Sequence, residues 1–105
     1  MSYNILKTEE FNKKFYKLDN SLKIKIENEL IQLETNPYSG KPLWYKFFRE
    51  NKINNYRIYY LIYNELLIVL LIGISDKKEQ QKVINTIKNL IQYYKDYINI
   101  FYNDK

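Results

Sequence analysis

Hydrophobic residues recur at helical spacing in two segments of the first third of the chain. The first segment presents one apolar face, made of Phe11, Phe15 and Leu18. Thr8 is placed to cap that helix. The second helix begins near Ser21 and ends at Asn36-Pro37, because a residue before proline disfavours helical backbone angles. Its apolar residues are Leu22, Ile26, Leu30 and Leu33. The pattern predicts two antiparallel helices packed against a sheet.

Strand patterns account for the start and the middle of the chain. The predicted strands are Ser2 to Lys7, Lys46 to Lys52, Tyr56 to Asn64 and Leu66 to Ile74. The run from Leu66 to Ile72 is apolar at every position, which is typical of a central strand buried on both faces. A tight turn at Asn64-Glu65 joins the last two strands into a hairpin. Pro37 to Pro42 contains both prolines and predicts an irregular turn.

Alternation in the middle strands bears on where two arginines point. Unbroken period-2 alternation from Arg49 to Tyr63 would place Arg49 and Arg57 on one face of the sheet, and Glu50 and Lys52 on the other. A turn at Asn54-Asn55 would break this register. The alternation therefore leaves the relative faces of the two arginines open.

The C-terminal segment repeats apolar residues at helical spacing for roughly 25 positions. Asp76 and Glu79 are spaced to form a variant capping box at its start. A helix over residues 76–101 is longer than a small sheet needs, so its second half is expected to meet either another copy of the chain or a partner protein. The fold prediction is an α+β domain over residues 1–105, with an antiparallel-rich sheet and the order β-α-α-β-β-β-α.

Composition narrows the chemistry that the chain can support. The 105 residues include no cysteine and no histidine, which removes disulfides, thiol chemistry and the usual ligands of zinc, copper and haem. We expect no cofactor and no metal. A net charge of +5 favours acidic or polyanionic partners. Abundant Lys, Asn, Ile and Tyr are also what an AT-rich genome imposes, so the charge alone decides little.

Targeting signals are not evident in the sequence. The N-terminal residues lack the architecture of a signal peptide, and the apolar run from Leu66 to Ile74 is far shorter than the roughly 20 residues that span a bilayer. We expect a cytoplasmic protein with no membrane partner.

Several elements, taken in order, resemble the RelE/ParE superfamily of type II toxins over about three quarters of the chain. They are the opening strand Ser2 to Lys7, the two helices ending at Asn36-Pro37, the turn Gly40-Lys41-Pro42-Leu43, the segment from Phe48 to Ile58, the strand Leu66 to Ile72 and the basic turn Asp76-Lys77-Lys78. The resemblance implies a toxin neutralised by a cognate antitoxin. For ribonuclease members it implies ribosome-dependent mRNA cleavage, in which the substrate's 2′-hydroxyl attacks the adjacent phosphate without a metal.

The resemblance also implies which residues do the work. Arg57 matches the arginine of the family's tyrosine-arginine strand, and its guanidinium can bind phosphate through two hydrogen bonds. Lys52 and Lys78 are the other candidate catalytic residues, because neighbouring cations lower the pKa of a lysine and allow it to move protons. The candidate RNA- and phosphate-binding residues are Arg49, Lys77, Lys46 and Tyr56. Tyr59 and Tyr60 are further candidates for base stacking.

Alternatives stay open for these residues and for the function. Arg57 is also placed for an ion pair with Glu50 or Glu65, and any single lysine here can be a solvated surface charge. Glu50 stands where ribonuclease members often carry a second basic residue, and the tyrosine or histidine expected after the C-terminal basic segment is missing. A ParE-like gyrase poison, a degenerate member that acts by protein binding, and a regulatory partner protein assembled through its last helix are the rival functions.

Overall fold

Five strands form one sheet in the computed structural model, which describes residues 2–103. The strands are β1 (Asn4–Lys7), β2 (Lys41–Leu43), β3 (Tyr45–Ile53), β4 (Tyr56–Tyr63) and β5 (Ile68–Asp76). The helices are α1 (Glu9–Tyr16), α2 (Asn20–Leu33), α3 (Gln80–Asn89) and α4 (Ile91–Asn103). Short 3₁₀ turns cover Pro37–Ser39 and Asn64–Leu66.

The strand order in the sheet is β1-β5-β4-β3-β2. Only the β1–β5 pair is parallel among the described residues, and the other three pairs are antiparallel. This arrangement confirms the predicted α+β class and the antiparallel-rich sheet. Strand β5 lies between β1 and β4 and is buried from Ile68 to Ser75, which confirms the predicted inner strand. Leu66 and Leu67, which were predicted to be part of this strand, lie in the turn before it. The short edge strand β2 was not predicted, because a three-residue strand containing Pro42 has no alternating pattern.

One face of the sheet packs against the hairpin formed by α1 and α2. Thr8 accepts a hydrogen bond from the Phe11 amide and caps α1, as predicted. Asp19 caps α2 by accepting from the Leu22 amide, so this helix begins at Asn20. The four apolar residues predicted for α2 are all buried in the core on this face: Leu22, Ile26, Leu30 and Leu33.

The opposite face of the sheet packs against α3 and α4, and here the structure differs from the predicted single long helix. The Asp76 carboxylate accepts from the Glu79 amide in a turn, and α3 starts only at Gln80. A break at Leu90 then separates α3 from α4. Tyr94 and Ile98 of α4 join the same core as the buried residues of α3.

The turn after α2 is fixed by a close approach at Gly40. A methyl group at Gly40 would overlap Asn51 Oδ1 and would lie 2.5 Å from the Tyr60 hydroxyl oxygen and 2.8 Å from the Glu50 carbonyl oxygen. The Tyr60 hydroxyl donates a buried hydrogen bond of 2.7 Å to the Pro37 carbonyl. The segment between the helices and β2 is therefore held tightly against β3 and β4.

None of the helices within residues 2–103 is both long enough and apolar enough to cross a bilayer.

Buried tyrosines predict a loss of stability at alkaline pH. Burial raises the pKa of Tyr59 and of Tyr60 from 10.0 to about 12, because a phenolate is poorly solvated there. Their neutral forms stabilise the folded state fully below pH 10, and that contribution is lost as the pH rises towards 12. We expect the folded fraction, followed by circular dichroism, to fall over this range together with a late step in tyrosinate absorbance. Ionisation of every tyrosine near pH 10 in a protein that stays folded would contradict this.

Candidate nucleic-acid interface and active site

A two-residue turn at Asn54-Asn55 sets the faces of the basic residues. Asn54 has a left-handed φ of 55°, which asparagine tolerates, and the turn pairs Lys52 with Arg57 across β3 and β4. In this register Lys52 and Arg57 lie on the α3 side of the sheet. Arg49 pairs with Tyr60 and points to the opposite face. The face assignment that unbroken alternation gives is therefore wrong, and the turn at Asn54-Asn55 is the reason.

Three neighbouring strands bring basic and polar side chains into one row. Lys52 of β3 pairs with Arg57 of β4, and Arg57 pairs with Ser75 of β5. Adjacent strands lie about 4.8 Å apart, so the row is about 10 Å wide. Lys77 and Lys78 are exposed in the turn that follows β5, close in the chain to Ser75. The structure thus brings together Lys52 and Arg57 and places the two turn lysines at the end of the same row.

Glu50 forms the inner side of this site. Arg57 is 9% exposed and Glu50 is 7% exposed, and Arg57 Nε lies 3.8 Å from Glu50 Oε1. Gln80, at the start of α3, donates from Nε2 to the same carboxylate oxygen over 2.7 Å. Glu50 is thus held from two sides, one of them a cation. The ion pair with Glu50 that was an alternative role for Arg57 is present in the structure.

A second buried contact lies next to this pair. The hydroxyls of Tyr59 and Ser75 are 2.7 Å apart, with either one able to donate. Burial is the main cause of the raised pKa of Tyr59; the hydrogen bond to Ser75 and the charge of Arg57 lower the pKa, and the charge of Glu50 raises it. Tyr59 is therefore a neutral hydrogen-bonding group in the wall of the site.

The guanidinium of Arg57 keeps donors free for a ligand. Within residues 2–103 its terminal nitrogens make no hydrogen bond, and the 3.8 Å contact at Nε is longer than a hydrogen bond. Glu50 nevertheless restrains the direction of the side chain through charge. Arg57 is only 9% exposed, so a phosphate would reach its donors at the small part of the side chain that meets the surface.

Arg49, Lys46 and Tyr56 lie away from this row. Arg49 donates to three backbone carbonyls, those of Lys46 at 2.8 Å, Tyr38 at 3.1 Å and Gly40 at 2.8 Å. Its guanidinium and the Lys46 ammonium lie 5.1 Å and 5.7 Å from the centre of the Tyr38 ring. Tyr56 packs against the core on the α1–α2 face. In this structure Arg49 fastens the turn at Gly40 to β3, and none of the three reaches the Arg57 side of the sheet.

Sequence reasoning missed two residues that shape the site, Glu50 and Gln80. The sequence suggests Glu50 only as a possible ion-pair partner of Arg57 and as a departure from a basic pattern, and it suggests no role for Gln80. The signal that would have found Glu50 is the Asn54-Asn55 turn: a two-residue loop places Glu50 two residues from the partner of Arg57 and on the same face. Gln80 gave no such signal, because the packing of α3 on the sheet determines its position.

Helix α4 carries an exposed apolar stripe outside this site. Its outward residues are Tyr93, Tyr97, Ile100 and Phe101, whereas Tyr94 and Ile98 are buried against the sheet. Beside it, a groove of about 580 Å³ lies between α4 and the end of β4, lined among others by Tyr63, Leu66 and Ile91. A surface of this kind is typical of a binding site for another protein.

The sequence matches a known protein family, and the fold resembles several solved structures. The family model described as ParE toxin of type II toxin-antitoxin system, parDE, matches residues 5–81. A double arginine mutant of E. coli toxin RelE in the free state superposes with a TM-score of 0.72 at 18% identity, covering 86% of this chain and 99% of that one. The E. coli RelBE toxin-antitoxin complex gives 0.66 at 19% identity, with coverages of 71% and 96%.

An archaeal structure extends the likeness. The RelE-RelB complex from Pyrococcus horikoshii OT3 gives a TM-score of 0.67 at 13% identity, covering 73% of this chain and 97% of that one. No curated protein sequence matches the chain. The structural likenesses show the fold, and the family model matches well over half of the sequence. This chain belongs to the RelE/ParE family of type II toxin-antitoxin toxins.

Proposed function

We propose that this toxin inhibits translation by cutting mRNA on the ribosome, as ribonuclease members of its family do. The observation that carries the proposal is the pairing of Lys52 with Arg57 across β3 and β4, on the same face as the buried carboxylate of Glu50. Two cations that neighbour each other on a rigid sheet can bind one phosphate, and the buried carboxylate of Glu50 behind them holds the guanidinium in position. Catalysis of this type depends on positioning and charge.

The cleavage step follows from these roles. The 2′-oxygen of a ribose forms a bond to the adjacent phosphorus while the bond from phosphorus to the 5′-oxygen of the next nucleotide breaks. Lys52 and Lys78 are both exposed: one accepts the proton that leaves the 2′-hydroxyl, and the other supplies a proton to the departing 5′-oxygen. Arg57 stabilises the extra negative charge on the phosphorane through its free donors. The products are a 2′,3′-cyclic phosphate and a 5′-hydroxyl end.

The proposal is tested with purified protein, ribosomes and a defined message. We expect cuts in the translated part of the message and growth arrest when the protein is expressed without its antitoxin. An intact message after incubation with programmed ribosomes, from protein shown to be folded, would contradict the nuclease function.

A second candidate is a non-catalytic toxin of the ParE kind, which poisons DNA gyrase. The observation that favours it is the engagement of Arg57 by Glu50, which ties up part of the charge that a nuclease would use. The family model carries the ParE name as well. The same protein preparation is assayed for inhibition of gyrase supercoiling. Inhibition of gyrase without mRNA cleavage supports the gyrase-poison function. Cleavage of mRNA without inhibition of gyrase supports the nuclease function.

The cognate antitoxin is the proposed partner of the exposed stripe on α4. We expect Ile100→Asp to weaken binding of the cognate antitoxin by at least tenfold, because it puts a charge into an apolar contact. Ile100 is 64% exposed and Ile24 of α2 is 60% exposed, so Ile24→Asp is the matched control and should bind as the wild type does. Binding is measured by isothermal titration calorimetry.

Equal affinity for both variants would remove α4 from the antitoxin site. A homodimer through the C-terminal helix also remains a proposal. It predicts that the free wild type sediments as a dimer and Ile100→Asp as a monomer.

A further inference from the structure

Trp44 occupies an unusual position between β2 and β3. Its φ of 67° lies in the left-handed region, which a bulky side chain rarely adopts. Trp44 is the only tryptophan in the sequence, and it is 67% exposed. A large aromatic residue held out of the core in a strained backbone conformation indicates a functional surface, because such strain collects at binding sites.

Lys88 holds the indole in place. Its ammonium lies 3.5 Å from the centre of the Trp44 ring, within the range of a cation–π contact. Lys88 is in the last turn of α3, so the contact joins the helix to the β2–β3 connection. With one face of the ring covered by Lys88 and most of the residue exposed, the opposite face of the indole is presented to solvent in a fixed orientation.

Charge around Trp44 favours a polyanion. Lys88 lies over the ring and Lys41 stands three residues before it, whereas Lys46 and Arg49 are directed to Tyr38. Neither the sequence from 41 to 49 nor helix α3 contains an acidic residue. Next to Trp44, Tyr45 stacks on Phe47 with ring centres 4.9 Å apart and adds a second aromatic surface. An exposed aromatic ring beside a lysine is a combination that can bind an unstacked base of a single strand.

The position of Trp44 relative to Arg57 fits one continuous ligand. Gln80 at the start of α3 contacts Glu50, and Lys88 near its end contacts Trp44. Eight helical residues separate these contacts, which is about 12 Å along the axis. A few nucleotides of single-stranded RNA can cover that distance along the same side of the sheet.

We propose that Trp44 is a base-stacking site for single-stranded RNA, which binds a nucleotide upstream or downstream of the phosphate held at Arg57. This inference rests on the proposed nuclease function for the identity of its ligand. Stacking on Trp44 orients the strand while Lys88 fixes the ring. Trp44 is thus a positioning residue for the substrate.

The single tryptophan allows a direct test, because its fluorescence reports on this site alone. We expect a short single-stranded RNA to quench the emission of the full-length protein in a saturable way. Inorganic polyphosphate, which has charge and no bases, should bind without comparable quenching. An unquenched signal with RNA, or equal quenching by polyphosphate, would overturn the proposal.

Substitutions give the second readout, the affinity for a fluorescently labelled RNA. Trp44→Gly suits the left-handed φ and should fold normally, and it should weaken RNA binding by about tenfold. Trp44→Phe should retain most of the affinity. Tyr16→Ala is the matched control, because Tyr16 is 71% exposed and also carries a lysine, Lys23, over its ring at 5.9 Å. Wild-type affinity in Trp44→Gly would contradict the proposal.

The outcome is separable from that of the nuclease proposal. The fluorescence experiment uses no ribosome and detects no cleavage, so RNA quenching by a protein that cuts no message would leave this site standing and remove the nuclease function. Cleavage by Trp44→Gly at the wild-type rate and KM would show that stacking does not serve the reaction. Quenching by the antitoxin but not by RNA would assign the surface to a protein and overturn the inference.

Discussion

Arg57→Ala is expected to slow mRNA cleavage on the ribosome by about 10²- to 10³-fold, which is the usual cost of removing one donor that stabilises charge in a transition state. The reason is geometric. Arg57 is mounted on an inner strand, restrained at Nε by Glu50, and free at its terminal nitrogens. Arg57→Lys should recover only part of the rate, because an ammonium is a single point of charge without the planar pair of donors. The rate is measured under single-turnover conditions with programmed ribosomes.

Controls for this prediction separate catalysis from folding. Removing Arg57 leaves the buried Glu50 carboxylate without its cation, so thermal unfolding of each variant is measured alongside the rate. Lys13→Ala, at an exposed position on α1 on the other side of the sheet, is the charge-matched control and should cut at the wild-type rate. Cleavage by folded Arg57→Ala within about twofold of the wild type would exclude Arg57 from the mechanism.

Gly40→Ala is expected to lower the free energy of unfolding by about 2–3 kcal/mol, at the upper end of what overpacking usually costs. The new methyl group would collide with the Glu50 backbone, with Asn51 and with the Tyr60 hydroxyl, which already donates to Pro37. The backbone oxygen cannot move aside as a flexible side chain can. The corresponding fall in Tm is roughly 10–20 °C for a domain of this size.

Gly73→Ala is the matched control for this substitution. The nearest atom to a methyl group at Gly73 is Val83 Cγ1 at 3.8 Å, an ordinary van der Waals contact. The Tm of Gly73→Ala should therefore lie within a few degrees of the wild-type Tm, with all three proteins measured by differential scanning calorimetry. Equal Tm values for the two variants would mean that the turn at Gly40 moves aside readily, and would contradict the tight packing described for it.

Most of the fold follows from hydrophobic spacing. The four α2 residues with spacings of four, four and three are all buried, and the apolar run in β5 becomes an inner strand. The break in the C-terminal helix could not be found this way. Ile84, Ile87, Tyr94 and Ile98 keep helical spacing on both sides of Leu90, and no proline or glycine marks the break. Packing of α4 back onto the sheet decides it, and that is a tertiary effect.

Less of the candidate site could be predicted, because it depends on register. The sequence identifies the candidate basic residues. Which of them share a face of the sheet depends on the turn at Asn54-Asn55. Asn54 in the left-handed conformation moves Arg49 to the opposite side from Arg57 and brings Glu50 beneath the guanidinium. The basic side chains of β3 and β4, which the sequence suggests as one group, are thus divided between the two faces of the sheet.

The chemistry of the cut ends is the most direct test of the proposal that Lys52, Lys78 and Arg57 cleave RNA through its own 2′-hydroxyl. A message incubated with wild-type protein and programmed ribosomes is recovered, and its new ends are examined by ligation and by enzymatic phosphorylation. The account predicts 5′-hydroxyl ends that accept a phosphate, and 3′ ends that carry a 2′,3′-cyclic phosphate. New ends with a 5′-phosphate and a free 3′-hydroxyl, or no cut at all, would contradict it.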